Sequence, residues 1–146
     1  MMNSFTFTIP GKPRGKARAR TVRQKGKSRT YTPEQTAMYE QAVQWTYKAA
    51  GGPHFGESPV AITIRAFFGV PKSASKRNRD NMLADAIKPT IRPDADNIQK
   101  LICDALNGVA YEDDKQVVSS SVIKMYAQYP CVHVEIEKAN YEIQGV

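Results

Sequence analysis

Phe5-Thr6-Phe7-Thr8-Ile9 alternates apolar and polar side chains and halts at Pro10-Gly11, the period-two pattern of a strand with one buried face. The next segment has almost no large apolar residue. With Gly11, Pro13, Gly15 and Gly26 along it, residues at about 11–30 have little to pack with and are expected as a flexible loop. Thr32-Pro33-Glu34-Gln35 has the form of a helix start, with Thr32 as N-cap, Pro33 at the first helical position and Gln35 closing a capping box. This helix sets Met38, Ala42, Trp45 and Ala49 on one face and ends at Gly51-Gly52. After Pro59, Val60 to Phe68 is rich in β-branched and aromatic residues and is expected as a central strand. A short helix is expected after Ser73 or Ser75.

The strongest periodicity lies between Asp96 and Asn107. Ile98, Leu101, Ile102, Ala105 and Leu106 recur at helical spacing, a full core-facing stripe, and Gly108 is placed to end the helix. Gln116 to Tyr126 and Val132 to Glu137 read as the two strands of a hairpin, the second alternating Val132, Val134 and Ile136 with His133, Glu135 and Glu137. No repeat and no domain boundary is visible in the 146 residues. Strands and helices are mixed rather than regularly alternating, so the expected architecture is a single α+β domain over residues 1–146, a small mixed β-sheet flanked by helices.

Charge changes the picture once it is located. The chain carries a formal net charge of +7, yet residues 11–29 alone hold nine Lys or Arg and no acid. The remainder has twelve basic and fourteen acidic residues, a balance of −2. Within residues 94–114 fall Asp94, Asp96, Asp104, Glu112, Asp113 and Asp114, with Lys100 the only base. A near-neutral body thus carries a basic arm, the electrostatic footprint of polyanion binding, and a separate acidic cluster. Lys12, Arg14, Lys16, Arg18 and Arg20 on the arm, with Lys76 and Arg77 further on, are the candidate phosphate contacts. Tyr31 and Phe55 are candidate base-stacking rings.

The acidic cluster suggests the chemistry. In Arg92-Pro93-Asp94-Ala95-Asp96-Asn97, an extended Asp94 lets Asp94 and Asp96 point the same way at a helix entrance, where Asp96 or Asn97 is the natural N-cap. Lys100 lies one turn in, and Glu112-Asp113-Asp114 follows the helix end. Mg²⁺ prefers one or two carboxylates plus waters and phosphate oxygens, and two or three converging aspartates would hold it for hydrolysis of a phosphodiester. Lys100 would then contact the scissile phosphate. Each feature alone has a blander explanation: the aspartates could cap the helix, Lys100 could pair with Asp96 or Asp104, and Glu112-Asp113-Asp114 could be a polar turn. Their conjunction with a basic arm favours the phosphodiester site.

Other chemistries find no support. His54 and His133 have no second histidine or carboxylate at zinc-ligand spacing. The sequence contains neither a P-loop nor a dinucleotide-binding fingerprint, and Ser119-Ser120-Ser121 lacks a nucleophile-elbow context. Cys103 and Cys131 read as reduced structural thiols. With no signal-peptide pattern and no membrane-length apolar run, a cytoplasmic location without membrane contact is expected.

RPDADNIQKLICDALNGVAYEDDKQVV resembles the signature region of the RusA family of Holliday-junction resolvases: a PDxDN, a lysine on the following helix, a DALxG helix end and a DD before a strand. The opening strand, PGKPRGKARAR and the helix after Thr32 are similar more loosely. The resemblance implies a homodimeric, Mg²⁺-dependent crossover junction endodeoxyribonuclease, nicking paired strands of a four-way junction in DNA recombination and repair. It assigns metal binding to Asp94, Asp96 and Asp114 and catalysis to these with Lys100. Asp113 is the alternative third ligand, because the turn after Gly108 varies in length across the family. Many relatives are encoded by phages or prophages of bacteria. Two other functions remain open on the residues: a less selective branched-DNA or flap nuclease, and a DNA-binding module without catalysis.

Overall fold

The computed structural model describes residues 3–17, 20–31 and 33–139. Its main sheet has four strands, β1 (Ser4–Pro10), β4 (Val60–Gly69), β5 (Val117–Ala127) and β6 (Cys131–Lys138), in the order β1-β6-β4-β5. β1 runs antiparallel to β6 with Phe7 opposite Val134, and β6 antiparallel to β4 with Val134 opposite Ile64. β4 runs parallel to β5 with Ile64 opposite Val122. The sheet is mixed, as expected for the α+β class. β5 and β6 do not form the expected hairpin, because β4 lies between them. β4 is the most continuously apolar strand, and the central place buries it on both edges. The two later strands therefore flank it.

Alternation in β1, β4 and β6 sends Phe7, Ile9, Ile62, Ile64, Phe68, Val134 and Ile136 into one core. Two helices supply its other half: α1 (Glu34–Ala49) and α3 (Ala95–Leu106). On α3 the expected stripe is fully enclosed, with Ile98, Leu101, Ile102, Ala105 and Leu106 all at 0% exposure. On α1 the expected face is reversed. Met38 and Trp45 are 61% and 75% exposed, while Thr36, Val43 and Tyr47 are buried. The sequence offers two stripes on this helix. Tyr47 decides between them, because its ring centroid lies 5.2 Å from that of Phe5 and 5.1 Å from that of Phe7, a cluster in which aromatic burial is concentrated. Phe55 joins the same core at 4% exposure, so it is not a stacking surface for bases.

The helix starts shift by a residue or two. α1 begins at Glu34 with Pro33 in the capping position and no side-chain cap, and Thr32 lies outside the described residues. α3 begins at Ala95 with Asp94, not Asp96 or Asn97, as its N-cap. Between β4 and α3, α2 (Lys76–Leu83) starts at Ser75, whose hydroxyl accepts the Asn78 N–H. The basic arm departs most from expectation. Residues 20–31 are a hairpin, β2 (Arg20–Gln24) paired with β3 (Lys27–Tyr31). Lys25 and Gly26 form its turn, both with positive φ (51° and 77°), the backbone that a two-residue hairpin turn requires.

Candidate active site

α3 separates two concavities. On one side a cleft of about 340 Å³ is lined by Asp96, Lys100 and Asp104 of α3 together with Asp114 and Ser120. On the other a pocket of about 730 Å³ is lined by the basic segment 12–17, the start of α1, Arg92, Asp94 and Asn97. Both are open to solvent, and the acids divide between them.

Asp114 reaches the first cleft because the segment after α3 is tied down at several points. Gly108, at φ 79°, ends the helix. The Tyr111 hydroxyl then donates to the Cys103 carbonyl at 2.6 Å, and the Phe55 N–H donates to the Ala110 carbonyl at 2.8 Å. A single 3-10 turn, Asp114–Gln116, follows, with Asp113 as its N-cap. Asp113 accepts the Lys115 N–H at 3.0 Å, while the Gln116 side chain accepts the Asp113 N–H at 2.9 Å. The same Gln116 amide donates to the Gly56 and Ser58 carbonyls, each at 2.8 Å. Gln116 was not among the candidate residues. The Asp113-x-x-Gln116 spacing, a capping-box form, was its signal.

These contacts distinguish the two adjacent aspartates. The Lys115 N–H, with a hydrogen bond to Asp114, holds the Asp113 carboxyl below its ordinary range. The Asp114 carboxyl is pushed above its ordinary value, first by the hydrogen bond with Asp113, then by slight burial and the charges of Asp113 and Asp104, against the pull of Lys100. Asp113 is thus used as a cap, and Asp114 faces the cleft under a surplus of negative charge. Asp104 is held by two cations, at 3.4 Å from Lys16 Nζ and 4.0 Å from Lys100 Nζ.

Asp94 and Asp96 do not point the same way. Asp94 is the extended cap (φ −67°, ψ 155°), and Asp96 is already inside the first turn. Asp96, on the same helix as Lys100, lines the cleft with Asp114, while Asp94, outside the helix, lines the basic pocket. There it accepts a long hydrogen bond of 3.4 Å from the Asn97 amide.

The basic arm meets this helix start closely. The Lys16 N–H donates to the Asn97 carbonyl at 2.9 Å, and a Cβ on Gly15 would come within 2.8 Å of the Pro93 Cβ and 2.9 Å of the Asn97 Cβ. Only glycine allows that approach. Lys12 and Arg14 line the basic pocket, but the Lys16 ammonium binds Glu40 of α1 as well as Asp104. Burial works against that charge, yet the hydrogen bond and charge of Glu40 with the charge of Asp104 outweigh it and raise the lysine above its ordinary value. Lys16 therefore serves the protein's own packing rather than presenting a free cation to phosphate. Arg18 and the Arg20 and Tyr31 side chains lie outside the described residues. Lys76 and Arg77 are exposed at the start of α2. Arg92, Gln35 and Asn97 also line the basic pocket, and none of them is among the candidate phosphate contacts.

Carboxylates, a hydroxyl and an amide are hard oxygen donors, and the cleft's donor set suits Mg²⁺ in kind. The carboxylates of Asp113 and Asp104 around Asp114 are the local imbalance that such an ion neutralises. Among the described residues no three His, Cys, Asp or Glu side chains stand close enough to enclose an ion.

The chain is a member of the RusA endodeoxyribonuclease family, whose family model, described as endodeoxyribonuclease RusA, matches residues 10–137. It is also similar to an uncharacterized protein, YqaN, of Bacillus subtilis (strain 168), being 30% identical over 141 residues that cover 95% of this chain and 99% of that protein. Among the described residues no helix is long and apolar enough to cross a membrane.

Proposed function

We propose that the protein is a Mg²⁺-dependent endonuclease that resolves four-way DNA junctions by paired nicking, acting as a homodimer in recombination and repair. The observation that carries this reading is the meeting of Asp96 and Asp114, distant in sequence, in one cleft with Lys100 and Asp104. Family membership supplies the substrate class. Asp96 and Asp114 would hold the ion, with Asp104 beside them. Asp94, assigned to the metal by resemblance, lines the basic pocket on the other side of the helix start and would have to turn its side chain to join. Bound Mg²⁺ supplies positive charge at the phosphate and a water of lowered pKa. Lys100, whose side chain is 65% exposed, would place its ammonium on a phosphate or leaving oxygen as charge develops there. Lys12 and Arg14 would hold the strand. The cytoplasm of a bacterial cell, with a gene of phage or prophage origin, is the setting this substrate suits.

A synthetic four-way junction, a flap and a linear duplex of matched sequence test the proposal when incubated with and without Mg²⁺. Symmetric nicks in the junction, dependent on Mg²⁺ and lost with Asp96→Asn, are expected. Equal cutting of the flap would replace resolution with a broader branched-DNA activity. Binding with no metal-dependent product on any substrate would leave a DNA-binding module.

A further inference from the structure

The pocket on the far side of α3 has a form that phosphate contact alone does not explain. Its volume of about 730 Å³ falls in the size range of clefts that take a small molecule. Lys12, Arg14 and Arg92 line it and are exposed, and none of the three is in an ion pair among the described residues. Gln35 and Asn97 add two amides, each with donors and an acceptor. Pro93, half-buried, adds apolar ring surface, with the buried Pro13 behind it. A duplex backbone would use the cations but would leave the amides and the proline surface idle. A single nucleotide uses all three: phosphate on guanidinium, base edge on amide, and base face on an apolar wall.

We propose that this pocket receives one unstacked nucleotide of the DNA strand, with its phosphate on Arg14 and Arg92 and its base edge on Gln35 and Asn97. The inference rests on the branched-DNA reading above and assigns that substrate a second contact. Only a helix start lies between the pocket and the acid cleft. An α-helix with its side chains is about 10–12 Å across, a span of roughly three stacked nucleotides at 3.4 Å each. One strand therefore bridges the two sites, and the held nucleotide fixes which phosphodiester reaches Asp96 and Asp114. A branch point offers such a nucleotide at low cost, because its stacking is already interrupted.

The test is a binding measurement without divalent ion, so that it does not depend on cutting. A four-way junction carrying 2-aminopurine at the branch point is titrated with the protein in EDTA, beside a linear duplex with the same label. A rise in emission on the junction but not on the duplex is expected, reduced roughly tenfold in apparent affinity and lost in amplitude with Gln35→Leu and with Arg92→Ala. Both residues are exposed, and an unchanged thermal midpoint shows that the variants fold. Gln35→Glu provides a second folded variant, whose charge should repel the strand. No rise with the wild-type protein, or a rise that all three variants retain, would overturn the proposal. The two readings fail separately: a junction bound and unstacked but never cut refutes only the nuclease, and cutting without unstacking refutes only the pocket.

Discussion

At Asp113 and Asp114, adjacent residues of the same type have opposite uses because only one has a backbone N–H to accept. Asp113→Asn keeps an acceptor for the Lys115 N–H and should leave Mg²⁺-dependent nicking nearly unchanged. Asp114→Asn should lower kcat by more than the roughly 10–100-fold that outer-shell changes at metal sites produce. Equal loss in both variants would remove the distinction. Lys16 is a second case, a basic residue whose charge is committed inside the molecule. Lys16→Met should cost about 1–3 kcal/mol of stability, since Glu40 and Asp104 are left without their shared cation. It should scarcely change the salt dependence of DNA binding, whereas Arg14→Ala should reduce that slope by about one. Thermal denaturation and a salt titration of the two variants settle which lysine or arginine faces DNA. The commitment of Lys16 was not legible from residue type: it goes with the close approach of the arm to Pro93 and Asn97 at Gly15.

Among the elements, α1 and α3 show how far a hydrophobic pattern can be read. α3 has a single apolar stripe, and that stripe is the core. α1 has two, Met38-Ala42-Trp45-Ala49 and the one through Val43 and Tyr47, and local sequence does not rank them. Phe5 and Phe7, on a strand far away in the chain, decide for Tyr47. Trp45→Lys should therefore change stability by about 0.5 kcal/mol or less, and Leu101→Ala should cost about 2–5 kcal/mol, both measurable by denaturant unfolding. A large loss at Trp45 would show that its face is covered. The β2–β3 hairpin carried a local signal, Lys25-Gly26 between Val22 and Tyr31, which the density of charge and glycine obscured.

For the whole molecule, several acidic protons are buried in neutral form. Burial pushes Tyr39 and Tyr47 up to about 12. Cys103 rises to about 11 through burial and the charges of Asp104 and Asp114. Tyr111 is raised further, again first by burial. The unfolded chain releases these protons from the ordinary values of 9.0 for the thiol and 10.0 for the phenols. Above those values the folded state holds more protons than the unfolded one, so stability must fall as pH rises. The stabilising contribution is intact below about pH 9 and is lost as pH climbs through the folded values. Thermal midpoints recorded from neutral to strongly alkaline pH should be level and then decline from about pH 9. A midpoint that stays level throughout would contradict this burial.

The sequence by itself determined the strands β1, β4, β5 and β6, the core stripe of α3, the separation of a basic arm from an acidic cluster, and a family signature. These are properties of periodicity and spacing, which act over a few residues. The tertiary structure alone decided that β4 separates β5 from β6, that Asp94 and Asp96 face different pockets, and that Lys16 is withdrawn from the basic surface. Those outcomes depend on which segments compete to bury the same surface and on which charges come within a few ångströms through space. Neither is encoded in the distance between residues along the chain.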